Sequence, residues 1–288
     1  MSDTAHALSP SWHAWFDRAT WQRWLGACGA VVLRPFYTLY QWRLETMLPT
    51  WRVPQHIGII MDGNRRFARQ RNFFDVVVGH ERGADKLEEV LDWCEQAGVR
   101  VTTVWIFSLE NFQREAHEVE GLMRLFERKF GELASHPRIH RNQIRIRALG
   151  QTQLLPAAVQ GAIREAELAT AHYTRRLLNV GVAYAGREEI TEAFRRFLSE
   201  RGNRGKSIAD VVRELSSSSI AAYLDTSDMP DPDLIIRTSG EIRLSGFLLW
   251  QSAYSEFYFC DTNWPAFRKI DFLRALRDYH HRQRRFGR

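Results

Sequence analysis

The chain lacks several things, and each absence removes a class of function. Its 288 residues include three cysteines, Cys28, Cys94 and Cys260, odd in number and far apart. They read as buried small residues in a reducing compartment, not as a disulfide framework or a zinc site. No run of about 18 apolar residues occurs, so no transmembrane helix is expected. There is no G-x-x-x-x-G-K-[ST], which argues against a P-loop NTPase. There is no G-x-G-x-x-G after a strand, which argues against a dinucleotide fold. A D-D-x-x-D helix pair, a zinc-finger spacing and an RNP-like aromatic motif are also missing, and no internal repeat is visible.

What is present is ordinary in bulk and distinctive in detail. Apolar residues make up 44%, enough for a sizeable core. The net charge is +6 and the pI about 9.5. The excess is carried by Arg rather than Lys. That favours an anionic partner such as a phosphate ligand, a nucleic acid or an acidic lipid, since Arg suits bidentate phosphate contacts. A solvated basic surface is the plain alternative.

Residues 1–53 differ from the rest and are read as an extension preceding a domain over 54–288. They carry Trp12, Trp15, Trp21, Trp24 and Trp42 with Phe16, Phe36, Tyr37 and Tyr40. The apolar stretch 25–33 is too short to span a bilayer and makes a poor signal peptide. Trp and Tyr with scattered Arg suit a membrane interface; a helix packed on the protein's own surface is the other reading. The expected location is cytoplasmic, with peripheral contact at the inner membrane face on the first reading.

From residue 56 strand and helix patterns alternate. Strands are expected at 56–61, 100–107, 143–149, 177–184 and 233–237, with a last one near 255–260. Helices are expected at 80–97, 115–133, 156–175, 186–200, 207–224 and 269–285. Several strands are almost continuously apolar, as in strands covered on both faces. The predicted fold is α/β: a single domain with a central, mainly parallel sheet flanked by helices.

Four polar groups fall at or just after strands. The first, Asp62-Gly63-Asn64-Arg65-Arg66, ends the apolar run that starts at His56, and Gly79-His80 follows. The second is Ser108-Leu109-Glu110-Asn111-Phe112-Gln113-Arg114. The third is Arg237-Thr238-Ser239-Gly240-Glu241-Ile242-Arg243-Leu244-Ser245. The fourth is Glu256, an acid inside an aromatic run. Separately these are helix caps, turns and a surface ion pair. Together they place Arg66, Arg114, Arg237, Arg243 and two carboxylates at the ligand end of one sheet. Four cations there need anions. Two carboxylates and a diphosphate suit Mg²⁺.

These stretches resemble the cis-prenyltransferases, the undecaprenyl and dehydrodolichyl diphosphate synthase family. The resemblance runs from about Pro54 to Gly287. It rests on His-Ile-Gly-Ile-Ile-Met-Asp-Gly-Asn-Arg-Arg-Phe-Ala, Phe-Ser-x-Glu-Asn-Phe-x-Arg, Ile-Arg-Thr-Ser-Gly-Glu-x-Arg-Leu-Ser and the terminal Arg285-Phe286-Gly287, in the style of the archaeal and eukaryotic branch. It implies helices and sheet around an apolar tunnel. It implies sequential cis-condensation of isopentenyl diphosphate onto an allylic diphosphate primer, farnesyl or geranylgeranyl, with Mg²⁺ and release of diphosphate. By the same resemblance Asp62 is the essential carboxylate and a metal ligand, and Glu256 is a second metal carboxylate. Gly63, Asn64, Arg65, Arg66 and Phe67 cradle the primer diphosphate, with His80 nearby. Arg237, Arg243 and Ser245 match the isopentenyl diphosphate site. Ser108, Glu110, Asn111, Phe112 and Arg114 match a mobile segment between the two, with Asn111 the usual candidate for proton removal. Arg285 and Gly287 complete a site across a homodimer.

The chain departs from the pattern in places. The stretch Phe74-Asp75-Val76-Val77-Val78 carries no Arg before Gly79-His80. Ala266 stands where an acid often follows Trp-Pro, and Ile242 stands where bacterial members often have His. Two other readings compete with this one. A non-catalytic family subunit usually lacks the Asp-Gly-Asn loop that is present here. A basic nucleic-acid-binding protein has no motif to support it, so no nucleic-acid partner is expected.

Overall fold

The computed structural model describes residues 36–282. These divide into two compact units between Met47 and Leu48. In the first, residues 36–47 form a helix, α1, on which Phe36, Tyr37, Leu39 and Trp42 are exposed. Trp12, Trp15, Trp21, Trp24, Cys28, the stretch 25–33 and Arg285-Phe286-Gly287 lie outside the described residues.

The second unit is built on one six-stranded sheet. Its strands are β1 (His56–Ile60), β2 (Val101–Ser108), β3 (Ile144–Leu149), β4 (Arg176–Tyr184), β5 (Leu234–Arg237) and β6 (Glu256–Phe259). The order is β3-β4-β2-β1-β5-β6 and every pairing is parallel. All six strands stand within a residue or two of the apolar runs that predicted them. β1 and β5 are buried at every position, as expected of central strands covered on both faces.

The helices are α2 (Asn64–Gln70), α3 (Val77–Ala97), α4 (Ala116–Ser135), α5 (Pro137–Arg141), α6 (Ala157–Thr170), α7 (Gly186–Asn203), α8 (Ile208–Glu214), α9 (Ser217–Ala221) and α10 (Lys269–His281). The single helix expected over 207–224 is two. Leu215 is extended, and Ser216 starts α9 afresh as an N-cap accepting from the Ser219 N–H. α6 stops at Thr170, short of the expected 175. The Thr170 hydroxyl bonds back to the Ala166 carbonyl at 2.7 Å and receives the β3 N–H of Ile146 at 3.0 Å. α2 and α5 were not anticipated, because seven and five residues are too few to show a helical period.

α4 packs on α6, and α6 on β3. Aromatic side chains pack between β2 and α4. Phe107 of β2 makes edge contacts with Phe112 at 4.9 Å and with Phe126 of α4 at 5.8 Å between ring centroids.

The strand order fixes where a ligand can sit. From β1 the chain moves to β2 on one side, and later places β5 on the other side of β1. The crevice beyond the carboxyl ends of β1 and β5 is therefore the topological switch point of the sheet, where open α/β sheets take their ligands. The register pairs Ile60 with Arg237, so Asp62 and Arg237 open onto that crevice together.

Candidate functional site

The site begins with a turn that only glycine can make. After β1 the chain reaches Gly63 at φ +99°, and a Cβ there would lie 2.6 Å from Asn263 Oδ1. Both the dihedral and the contact exclude a side chain. Gly63 thereby lets α2 start directly under the crevice. Two further glycines, Gly79 and Gly83, let α3 close on that start. A Cβ on either would lie 2.3 Å from an Asn64 oxygen.

Asp62 is held at both oxygens. Oδ1 accepts the Gly63 N–H at 2.7 Å, and Oδ2 accepts Arg237 Nη2 at 2.8 Å. Its side chain remains 37% exposed, so lone pairs face the cleft. Arg237 is the reverse case, a guanidinium only 4% exposed. Besides Asp62 it donates to Ser245 Oγ at 2.9 Å and to the Arg243 carbonyl. Its Nε has no protein acceptor among the described residues. Arg66 is held by the Ser239 carbonyl (2.7 Å) and hydroxyl (2.6 Å), with Glu241 3.2 Å away. Ser239 and Ser245 both sit at positive φ, 76° and 52°, which turns them towards these arginines at some backbone cost.

The cleft so formed has a volume of about 590 Å³. It brings together Asp62, Gly63, Asn64, Arg65, Arg66, His80, Ser108, Glu110, Asn111, Arg114, Arg237 and Ser245. The sequence reading had missed Arg69, Trp105 and Ser239, which also line it. Five arginines (65, 66, 69, 114 and 237) face two lining carboxylates, Asp62 and Glu110. The surplus suits a polyanion, and the arginine forks and Asn64 at the start of α2 suit phosphate oxygens.

A third acid backs the cleft. Glu118 of α4, 3% exposed, lies 2.9 Å from Arg114 Nη1, 3.5 Å from Arg65 Nε and 3.4 Å from His80 Nε2. Burial alone would raise its pKa. The His80 imidazole beside it and the charges of Arg114 and Arg65 outweigh that and hold it below the usual carboxylate range. His80 is pulled down, chiefly by burial, against the attraction of Glu118. Glu118 was missed, although the pattern held a signal: an acid four residues after Arg114 on the apolar face of a helix.

Asn111 is oriented by the helical turn Leu109–Gln113 in which it stands third. Its Oδ1 accepts the Ser108 N–H at 3.1 Å in a capping box. The amide oxygen is thus engaged, leaving Nδ2 to donate.

Four expected site residues stand elsewhere. Phe67 packs edge-on against Phe73, with Arg71 over its ring. Phe112 lines a separate apolar groove with Val119, Met123 and Leu155. The Arg243 side chain turns out to Glu241 at 2.5 Å, and only its carbonyl serves Arg237. Glu256 is the clearest correction. It is the first residue of β6, level with Leu234 and Ile57. Five residues along a strand are about 16 Å, so within one chain Glu256 cannot share a cation with Asp62. It pairs instead with Arg282 at 2.9 Å.

Comparison with known proteins agrees with this picture. A family profile described as "Putative undecaprenyl diphosphate synthase" matches residues 60–287. The chain is 50% identical over 255 residues to an isoprenyl transferase of Thermus thermophilus, covering 88% of this chain and 97% of that protein. It is 50% identical over 258 residues to the tritrans,polycis-undecaprenyl-diphosphate synthase (geranylgeranyl-diphosphate specific) of Methanopyrus kandleri, covering 90% and 93%. Among solved structures it resembles lavandulyl diphosphate synthase from Lavandula x intermedia in complex with dimethylallyl diphosphate. That match has a TM-score of 0.74 and 34% identity over 82% of this chain and 99% of the other.

Proposed function

The chain belongs to the undecaprenyl diphosphate synthase family of cis-prenyltransferases, and from that premise we propose that its cleft elongates an allylic diphosphate, farnesyl or geranylgeranyl, with isopentenyl diphosphate. The observation that carries this is the Asp62–Arg237 pair at the sheet's switch point, inside a cleft with more arginines than acids. One diphosphate lies over Gly63, Asn64, Arg65 and Arg66, with Arg69 and His80 at its edge. The other faces Arg237 and Ser245.

Among the described residues no group of three His, Cys, Asp or Glu side chains forms a metal cluster. The donor set nevertheless fits Mg²⁺, which commonly takes one or two carboxylates and completes its shell with substrate phosphate and water. Asp62 is the carboxylate that would hold it. The ion, when bound, neutralises charge on the departing diphosphate.

The protein's own residues do the rest. As the allylic C–O bond breaks, negative charge grows on the leaving oxygens, and the fixed arginine forks stabilise it without reorganising. A new C–C bond forms to the isopentenyl unit, which gives up a proton. Asn111 is a poor acceptor for it, since a neutral amide has almost no basicity. It orients substrate through Nδ2, and a diphosphate oxygen serves better as the acceptor.

Two further readings complete the proposal. The chain works as a homodimer in which Arg285 and Gly287 finish a partner's site. The aromatic face of α1 supports peripheral contact with a membrane, and no helix among the described residues is long and apolar enough to cross one.

The decisive assay is incorporation of radiolabelled isopentenyl diphosphate with Mg²⁺ and farnesyl or geranylgeranyl primer, beside Asp62→Ala. Incorporation is expected for the wild type and lost in the variant. A folded wild-type protein that incorporates nothing with any primer overturns self-sufficient catalysis.

A further inference from the structure

A second cleft opens at the other pole of the sheet. It has a volume of about 340 Å³, and Arg100, Arg145, Tyr173, Arg175, Arg176 and Asp228 are among the residues that line it. The cleft lies at the opening residues of β1 to β4 and against the loop before β5, whereas the site above stands at the strands' ends. Val101 and Ser108, the two ends of β2, line one cleft each. The strand between them is roughly 23 Å long at ~3.3 Å per residue. One small ligand cannot occupy both.

The charge of this second cleft is unbalanced. Asp228 is taken by Arg147, whose Nη1 reaches its two oxygens at 2.8 and 2.9 Å. Arg176 is taken by Glu95 at 3.0 Å. Among the described residues no carboxylate forms a salt bridge with Arg100, Arg145 or Arg175, although the charge of Arg145 adds to that of Arg147 in holding the Asp228 pKa low. A cation after a helix C-terminus is ordinary, because it complements the helix dipole. That explains Arg100 after α3 or Arg175 after α6 singly. It does not explain why three guanidiniums from three separate chain segments converge on one concavity.

The wall opposite them is fixed in place. Tyr173 donates its hydroxyl to His140 Nδ1 at 2.9 Å, and His140 Nε2 donates to the Ala134 carbonyl at 2.9 Å. Beneath the cleft a polar chain crosses the sheet. Arg147 Nε donates to Asn179 Oδ1 at 3.2 Å, Asn179 Nδ2 to Thr103 Oγ1 at 2.9 Å, and Thr103 meets His56 Nε2 at 2.8 Å. The floor is therefore already satisfied, which leaves the three exposed arginines free to donate to a ligand in the concavity.

We propose that this cleft, formed by Arg100, Arg145 and Arg175 around Tyr173, is a second binding site for a small anion bearing phosphate or diphosphate. Inorganic diphosphate, released at every elongation step, has the right chemistry, and so has the phosphate of a lipid headgroup. The site is separate from the elongation chemistry and does not depend on the reading of the Asp62 cleft.

The test is calorimetric titration of the full chain with inorganic diphosphate at low ionic strength, for wild type and for a triple Arg100→Gln, Arg145→Gln, Arg175→Gln variant. The wild type is expected to bind one equivalent more than the variant, and the extra equivalent to weaken steeply with salt. Incorporation of isopentenyl diphosphate by the variant is expected to match wild type, which also shows that it folds. A second arm measures cosedimentation with phosphatidylcholine vesicles with and without phosphatidic acid. Loss of vesicle binding in the variant without loss of a diphosphate equivalent assigns the site to a headgroup. If the triple variant matches wild type in both arms, the proposal is overturned. If the Asp62 cleft binds no diphosphate, wild type still shows one equivalent and the variant none, so the two readings fail independently.

Discussion

Asn111 shows how much one side chain's surroundings decide. Its oxygen is occupied by the Ser108 N–H, so the amide can present only its donor to a ligand. Asn111→Ala is expected to lower kcat by about 10²- to 10³-fold, the usual cost of one donor aimed at developing charge. Asn111→Asp would place a carboxylate where diphosphate charge grows, and is expected to be no more active than Asn111→Ala. Turnover by Asn111→Asp near wild type would instead favour a proton-accepting role. His56 makes a different residue-scale prediction. It is 1% exposed, with Nδ1 donating to the Pro230 carbonyl at 2.7 Å, and burial pushes its pKa down from 6.5 to about 4. The unfolded chain therefore binds this proton first, and stability falls as pH drops below 6.5 towards 4. Between pH 6.5 and pH 5 the loss attributable to His56 is about 1.5 kcal/mol, since the full ~1.4 kcal/mol per pH unit applies only once the unfolded imidazole is mostly protonated. Urea midpoints at the two pH values for wild type and His56→Asn measure it, and the variant is expected to show the smaller drop.

At the scale of elements, the turn that carries Ser245 depends on α7. The Gly186 N–H bonds the Gly246 carbonyl at 2.9 Å. One turn further on, Glu189 accepts from the Tyr184 hydroxyl (2.6 Å), the Gln251 amide (3.0 Å) and the Asp225 N–H (3.2 Å). Glu189→Leu strands those donors in the core. It is expected to cost about 1–3 kcal/mol for each donor left unpaired, read as a lower denaturant midpoint. The strands of this scaffold were legible in the sequence because they are buried on both faces and so read as unbroken apolar runs. The turn motifs were legible because Gly63 and its neighbours are chemically unusual. Glu256 was misplaced for a reason of polarity. Its strand was found, but in a parallel sheet the first residue of a strand lies at the pole away from the ligand. Glu118 escaped because a helix pattern shows which face is apolar, not which acid on that face meets arginines from α2 and from the turn after β2.

For the whole molecule the open question is the β6 edge. β6 is only four residues long, and Phe257 and Phe259 stack at 6.2 Å, with Phe259 37% exposed. Tyr254 and Ile242 nearby are 74% and 78% exposed. Arg282 donates to Glu256 and to the Phe257 carbonyl, both at 2.9 Å, which partly blunts the edge. An apolar edge of this kind suits a second copy of the chain. Sedimentation is expected to give a dimer for wild type and a shift towards monomer for a Tyr254→Asp, Phe259→Asp double variant. A wild-type monomer at micromolar concentration counts against the homodimer.

The strand order also governs when the protein becomes whole during synthesis. β1 emerges early, yet its neighbour β5 lies far downstream: the bond from the His56 N–H to the Asp233 carboxylate spans 177 residues. Until β5 arrives, one flank of a strand that is fully buried in the finished fold stands unpaired at the ribosome, where it is open to misassembly. For the same interval Asp62 has no Arg237. A chain cut short before β5 therefore has no Arg237 for Asp62, and competence comes only as the last fifth or so of the polypeptide docks.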